Sequence, residues 1–516
     1  MDRLRAALSS KALRWLAAVA GVYACFFAGY VLTRRWASLT LDTGKSSYGR
    51  DEFVDIRLRT RDPQLRALWQ RTPPRVRVAR GGRPVPTIGG LLEPALEWDG
   101  NRGWVGRWPC PWKAEPGQYS LELASELPPR KAEALRAGSF ILSSRRPRAL
   151  PPRFAAVNWE SSKPLASLKV LAPDGTVKDW RGLLDWVEYV GADAFWMLGG
   201  QTPGLVHGET WVTHNLPLIP EVARECRRRK LKFGVWAMCY LTMSAKDRVP
   251  GYEYALEIEE GRPKPTRALS LRDARRPHDV AVLLKRFAAI PEVDFIGLDY
   301  IRNPLGGYEL VDDFMAEMPG VVKPPDWDRL TRAERMARFA QRKIARTDAD
   351  FIDAWQWWRA HRAGRVIRQI REEVGGSKPL WAFVLTWEKG WQHGQDPVMF
   401  SDAGADALAL MMYEADRVQF AQIMKDWRGY VRQGDAQLVA GNIVDWPLHQ
   451  RSPKGPAEFG RRLDWAARAI TPDGPAAGLF IHDLERALNG RLGPYTTRDW
   501  MDEARRVVRR FKALPS

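Results

Sequence analysis

Between residues 154 and 483 the chain carries eight short apolar runs separated by amphipathic stretches, and several of the runs close on a charged or aromatic residue. The clearest is Phe295-Ile296-Gly297-Leu298-Asp299-Tyr300-Ile301-Arg302. A strand that is apolar along its whole length is buried on both faces, as in a parallel sheet covered by helices. The candidates are Phe154–Trp159, Ala194–Leu198, Lys232–Tyr240, Phe295–Arg302, Leu380–Glu388, Ala407–Tyr413, Gln437–Val444 and Gly478–Asp483. Helical periodicity falls between them, at Leu183–Tyr189, Ile219–Arg229, Val280–Ala289, Trp355–Val374 and Phe459–Ile470. Alternation of this kind predicts an α/β fold with a parallel sheet, and eight units predict a closed (β/α)₈ TIM barrel over 153–516. An open doubly wound sheet is the alternative, but no glycine-rich phosphate loop follows the first strand.

The residues before this region read differently. Phe53–Arg59, Arg75–Val78 and Gly117–Leu123 alternate apolar and polar positions, with turn pairs Asp99-Gly100 and Pro116-Gly117 between them. That pattern predicts a small all-β sandwich over 38–142, resembling the immunoglobulin-like (Ig-like) domains that precede enzymes in bacterial surface proteins. Ser143-Ser144-Arg145-Arg146-Pro147-Arg148-Ala149-Leu150-Pro151-Pro152 reads as a linker over 143–152. Further upstream, Leu13–Thr33 is nearly uncharged and flanked by Arg3, Arg5, Lys11, Arg34 and Arg35. About 20 apolar residues suffice to span a bilayer, so residues 1–37 predict a cytoplasmic N-terminus and a single transmembrane anchor. A cleaved signal peptide is the second option, although Phe26–Leu32 continues the apolar run beyond the place where a signal would end. Either route predicts an envelope location, with the anchored form single-pass in the bacterial inner membrane and its body extracytoplasmic.

A formal charge of +19 raises the question of nucleic acid, but the basic residues are scattered, without a nucleic-acid motif around them. Cys25, Cys110, Cys226 and Cys239 have no close pairing or histidine-rich spacing, which predicts free thiols and no metal or other cofactor. The 24 Trp residues supply flat apolar faces of the kind that stack on sugar rings, and they also fill cores.

If the strands are placed correctly, one rim of the barrel collects Glu160, Asp299, Glu388, Glu414, Asp416, Asp445 and Asp483, with the aromatics Trp159, Tyr300, Trp387, Trp391, Tyr413 and Trp446 beside them. Cleaving a glycosidic bond needs one carboxylate to attack or stabilise an oxocarbenium-like centre and a second carboxyl to protonate the departing oxygen. Asp299 is the candidate nucleophile or stabiliser, Glu388 the acid/base and Asp445 a third carboxylate that orients hydroxyls. Arg302 is placed to keep Asp299 ionised. The loop Gly199–Asn215 carries Gln201, His207, Glu209, Trp211 and His214 and is long enough to wall a cleft, as is the connection from Asn303 to about Asp350. Trp355-Gln356-Trp357-Trp358-Arg359 reads as the buried face of a helix. Acids at strand ends also cap helices or pair with arginines, so each of these roles competes with a structural one.

Phe295–Arg302 followed by Asn303-Pro304 resembles the fourth strand of the glycosyl-hydrolase-like barrel families of bacterial envelope proteins, distant relatives of the α-amylase group. Trp358-Arg359 with Lys378-Pro379, and Gln395-Asp396-Pro397 with Asp402-Ala403-Gly404-Ala405-Asp406 and Met412-Tyr413, resemble that family's following segments. The resemblance covers about residues 150 to 485 and implies a glycosidase-like barrel with Asp299, Glu388 and Asp445 at the catalytic positions of strands four, five and seven. The strand here reads Ile296-Gly297-Leu298, without the family's histidine before the aspartate, and the sixth strand reads Met411-Met412-Tyr413. The expected function is therefore a membrane-anchored glycoside hydrolase acting on an extracytoplasmic polysaccharide or oligosaccharide. The alternative is a catalytically inactive glycan-binding barrel in an envelope assembly; nucleic acid is not expected as a partner.

Overall fold

The computed structural model describes residues 14–27, 39–101, 103–112, 114–202, 211, 214–242, 251–302, 304, 306–345, 348–385, 392–413, 418, 421, 425, 435–444, 455–470, 475–490 and 494–514. They belong to two compact units, Met1–Tyr48 with Phe53–Ser143 and Gly49–Glu52 with Ser144–Ser516.

The first unit holds two five-stranded sheets. In one, Phe53–Thr60 pairs antiparallel with Leu39–Thr43 and with Gly103–Pro109. In the other, Gly117–Leu123 lies between Ser139–Ser143 and Val76–Arg80. Ile56, Leu58 and Thr60 are buried while Arg57 and Arg59 are exposed, so the alternation in the sequence is the two faces of one sheet. Trp108 of the first sheet packs 5.7 Å from Tyr119 of the second, which stacks on Phe140 at 5.4 Å.

The expected membrane anchor is overturned. Of the expected span, residues 14–27 are described and are helical. Among the described residues no helix is long and apolar enough to cross a membrane, and the inner-membrane, single-pass location inferred from Leu13–Thr33 falls with it.

In the second unit the eight expected strands are all present. They are β1 Phe154–Trp159, β2 Ala194–Thr202, β3 Lys232–Thr242, β4 Phe295–Asp299, β5 Leu380–Leu385, β6 Ala407–Met411, β7 Leu438–Ile443 and β8 Gly478–His482. Each pairs in parallel with the next, and β8 pairs with β1 to close the barrel. Alternate residues point inward: Phe154 and Ala156, Trp196, Trp236, Trp381 and Phe383, Val439, Phe480. The indoles of Trp196 and Trp381 stack at 4.5 Å across the interior. Glycines make room for them. A Cβ on Gly297 would lie 2.2 Å from Trp381, one on Gly234 2.7 Å from Trp196, and one on Gly441 1.9 Å from Phe480. The interior is thus packed solid, with the next inward positions toward the strand ends being Asn158, Asp299 and His482.

Helices Arg181–Val190, Ile219–Arg228, Arg276–Ala288, Ala349–Val374 and Pro456–Ala469 follow strands in chain order. Trp355, Trp357 and Trp358 are buried, as their helical spacing predicts. The connection after Asn303 is no bare loop: it contains helices Val311–Glu317 and Arg332–Ala345. Phe314 and Phe339 pack edge-on against Trp355 at 5.1 and 4.8 Å. Cys110, Cys226 and Cys239 are buried and unbridged.

Candidate active site

Asp299 is the last residue of β4 and is 4% exposed. The chain turns immediately after it: Tyr300 adopts φ +56°, a left-handed conformation that costs a non-glycine residue about 1–2 kcal/mol. That turn lets the Tyr300 amide donate to Asp299 Oδ1 at 2.6 Å. Arg302 lies with its guanidinium 4.2 Å from the Tyr300 ring centre. Burial pushes the Asp299 carboxyl up to about 6, with the Arg302 charge and the Tyr300 amide pulling the other way.

A second group converges from β1 and β8. His482 Nε2 is 3.3 Å from Glu160 Oε2 and 3.3 Å from Asp483 Oδ2. Its ring stacks on Tyr413 at 4.7 Å, nearly parallel. Asp483 also caps helix Leu484–Asn489, accepting from the Arg486 amide at 3.0 Å. Burial drives the Asp483 carboxyl up to about 7, against the Arg486 amide and charge. Glu160 keeps 27% of its side chain accessible. Desolvation, followed by the negative charges of Asp483 and Asp299, holds its carboxyl well above the usual range. Burial, then the Arg486 charge, keeps His482 neutral.

Carboxyls placed this close disfavour one another's ionisation, which adds to the effect of burial on Glu160. Glu160 and Asp299, both with carboxyls held above the usual range, thus lie on the same mouth of the barrel. Glu160, His482 and Asp483 each also turn one ligand-capable atom to a common point, all within 4.8 Å of one another.

Of the residues singled out in the sequence, the structure gathers Glu160, Asp299, Tyr300, Arg302, Tyr413 and Asp483. Trp159 is fully buried and alternates away from the interior position held by Asn158, so its face is covered. Trp211 is also buried, beneath the Arg276 guanidinium at 3.9 Å, while His214 is exposed. His207, Trp387, Glu388, Trp391, Glu414, Asp416, Asp445 and Trp446 lie outside the described residues. Asp402 and Asp406 are buried in ion pairs, Asp402 with Arg50 at 2.7 Å and Asp406 with Arg371 at 3.3 Å. Gln395 accepts from the Leu385 amide at 3.0 Å, and Asp396 caps helix Pro397–Ala403. The sequence reading missed His482 and Asn158. Both occupy inward parity on otherwise apolar strands, and that pattern was the available signal.

No protein-family model matches the chain, and no curated protein matches it. Solved structures with partial similarity include a GH113 β-1,4-mannanase, 10% identical over 71% of this chain and 100% of that one, with a TM-score of 0.38. The endo-glycoceramidase II from Rhodococcus sp. is 14% identical over 69% of this chain and 78% of that one, at 0.38. The α-galactosidase from Lactobacillus brevis is 12% identical over 70% of this chain at 0.35, and this chain spans 40% of its length.

Proposed function

We propose that this protein hydrolyses glycosidic bonds of a polysaccharide or oligosaccharide. What carries the reading is the placement, on one barrel mouth, of Asp299 at the end of β4 and Glu160 beside His482 and Asp483, with burial raising the carboxyls of both Glu160 and Asp299. In this mechanism Asp299 attacks or stabilises the oxocarbenium-like centre, and Glu160 gives its proton to the departing oxygen. Arg302 keeps Asp299 ionised at neutral pH, and Tyr300 and Tyr413 border the sugar. The donor role falls to Glu160 in place of the Glu388 expected from the sequence, and Glu388, Asp445, Trp387, Trp391, Glu414, Trp446 and His207 are retained as candidates for further subsites. The first unit is read as an immunoglobulin-like sandwich that presents or spaces the barrel.

The test compares Glu160→Gln with the unmodified chain on polysaccharides and on nitrophenyl glycosides, whose leaving group needs no proton. Loss on the order of 10²–10⁴-fold for the polysaccharide, with nitrophenyl release largely kept, supports the assignment. A protein that binds a glycan and releases nothing from it or from any nitrophenyl sugar is a glycan-binding barrel instead.

A further inference from the structure

The hydrogen-bond chain behind His482 determines which ring nitrogen carries the proton. Trp236 Nε1 donates to Asn158 Oδ1 at 2.9 Å, and an indole N–H can only donate. Asn158 must therefore present its amide nitrogen on the other side, where Nδ2 lies 3.1 Å from His482 Nδ1. An amide NH₂ cannot accept, so His482 Nδ1 is the acceptor and the proton of the neutral ring sits on Nε2. Nε2 itself lies 3.3 Å from Glu160 Oε2 and 3.3 Å from Asp483 Oδ2. Asn158 and Trp236 are 0% exposed and His482 5%, which leaves water little access to rearrange the chain.

We infer that Trp236 and Asn158 form a tautomer lock that holds the His482 proton on Nε2, facing Glu160 and Asp483, reserving this cluster for proton handling and disabling it as a metal site. A metal-bound imidazole must offer a lone pair and normally donates its other N–H to a carboxylate or carbonyl. Here the lone pair that could meet Glu160 and Asp483 is occupied by hydrogen, and the partner on the far side cannot accept. His482 is on this account a positioning residue. Its Nε2 faces Oε2 of Glu160 and Oδ2 of Asp483, whose Oδ1 is already taken by the Arg486 amide, which extends the proposed role of Glu160.

Asn158→Asp replaces the amide nitrogen by an acceptor while keeping the oxygen that Trp236 needs. In the full-length chain with ¹⁵N-labelled histidine, assigned by loss of the signal in His482→Gln, the unmodified protein should show the Nε2–H tautomer. Asn158→Asp should move the proton to Nδ1 and raise affinity for Zn²⁺, titrated calorimetrically as the metal alone, by at least about tenfold. An Nδ1–H tautomer in the unmodified chain, or equal Zn²⁺ affinity in the two proteins, overturns the inference. Should Asn158→Asp not fold, Trp236→Phe frees the amide to flip. A mixture of tautomers in that variant supports the lock, and an unchanged spectrum refutes it. These readouts do not depend on turnover, so a chain with the Nε2–H tautomer and no glycosidase activity keeps the lock and loses the proposed function.

Discussion

A methyl group on Gly297 measures how tightly the barrel interior is filled. A Cβ there lies 2.2, 2.4 and 2.7 Å from ring atoms of Trp381. Carbon atoms settle at about 3.5–4.0 Å, so the indole has to retreat by roughly 1.3 Å or more. It has little room to do so, because Trp381 stacks on Trp196 at 4.5 Å and a Cβ on Gly234 would already be 2.8 Å from the same ring. Overpacking a core costs about 1–3 kcal/mol, and confinement on both sides of the indole puts Gly297→Ala near ~3 kcal/mol. With a urea slope of about 3 kcal/mol/M, the unfolding midpoint of the full-length chain falls by about 1 M. Trp381→Phe opens space at the same point, so Gly297→Ala in that background should cost less than about 1 kcal/mol, a strong departure from additivity. An unchanged midpoint in Gly297→Ala, or a full cost in the Trp381→Phe background, refutes this picture of the interior.

Other consequences follow from the acids. Asp299 and Asp483 bind protons more tightly folded, at about 6 and about 7, than the ordinary 3.8, so their native forms hold extra protons between these values. Their contribution favours the folded state in acid and is lost as pH rises from about 4 to 7. Asp299→Asn should therefore raise the melting temperature at pH 8, by the equivalent of roughly 2–3 kcal/mol, and leave it unmoved at pH 4; calorimetry showing equal shifts at both would contradict this. Glycan hydrolysis should rise through about pH 6 as Asp299 ionises and fall at higher pH as Glu160 loses its proton, and a rate flat from pH 5 to 8 would exclude that pair. Asp406 is fully buried and accepts from the Leu380 amide at 2.9 Å as well as pairing with Arg371, so Asp406→Asn should lower stability by about 3–5 kcal/mol in chemical denaturation, against near-neutrality for an exposed pair. The Tyr413 hydroxyl is buried with no hydrogen-bond partner among the described residues, so Tyr413→Phe should leave the unfolding free energy within about 1 kcal/mol, and a larger loss in chemical denaturation would contradict this.

The barrel was legible because its strands are buried on both faces, and burial of that kind writes itself as uninterrupted apolar runs such as Phe154–Trp159 and Gly478–His482. Their order and parallel pairing then followed from the helices between them. The N-terminal segment was read from its hydropathy, which reports composition, whereas spanning requires a helix both long and apolar enough, and none is present among the described residues. Asp299 could be found because it interrupts an apolar strand. Asp402 and Asp406 showed the opposite lesson, since their acids looked like part of a motif and proved to be held by arginines distant in sequence, Arg50 and Arg145. Trp159 was misread as a sugar platform because an aromatic at a strand end does not reveal its parity; Asn158, one residue earlier, takes the inward position. His482 is marked in the sequence only by its inward parity on an apolar strand; its partners Glu160 and Asn158 lie more than 300 residues away along the chain.

The most direct test of the central claim is reducing-end release from a panel of polysaccharides by the full-length chain, with Asp299→Asn beside it at matched folding. The account predicts release by the unmodified protein that falls on the order of 10²–10⁴-fold in the variant, while glycan binding persists. Release that survives Asp299→Asn undiminished would contradict it.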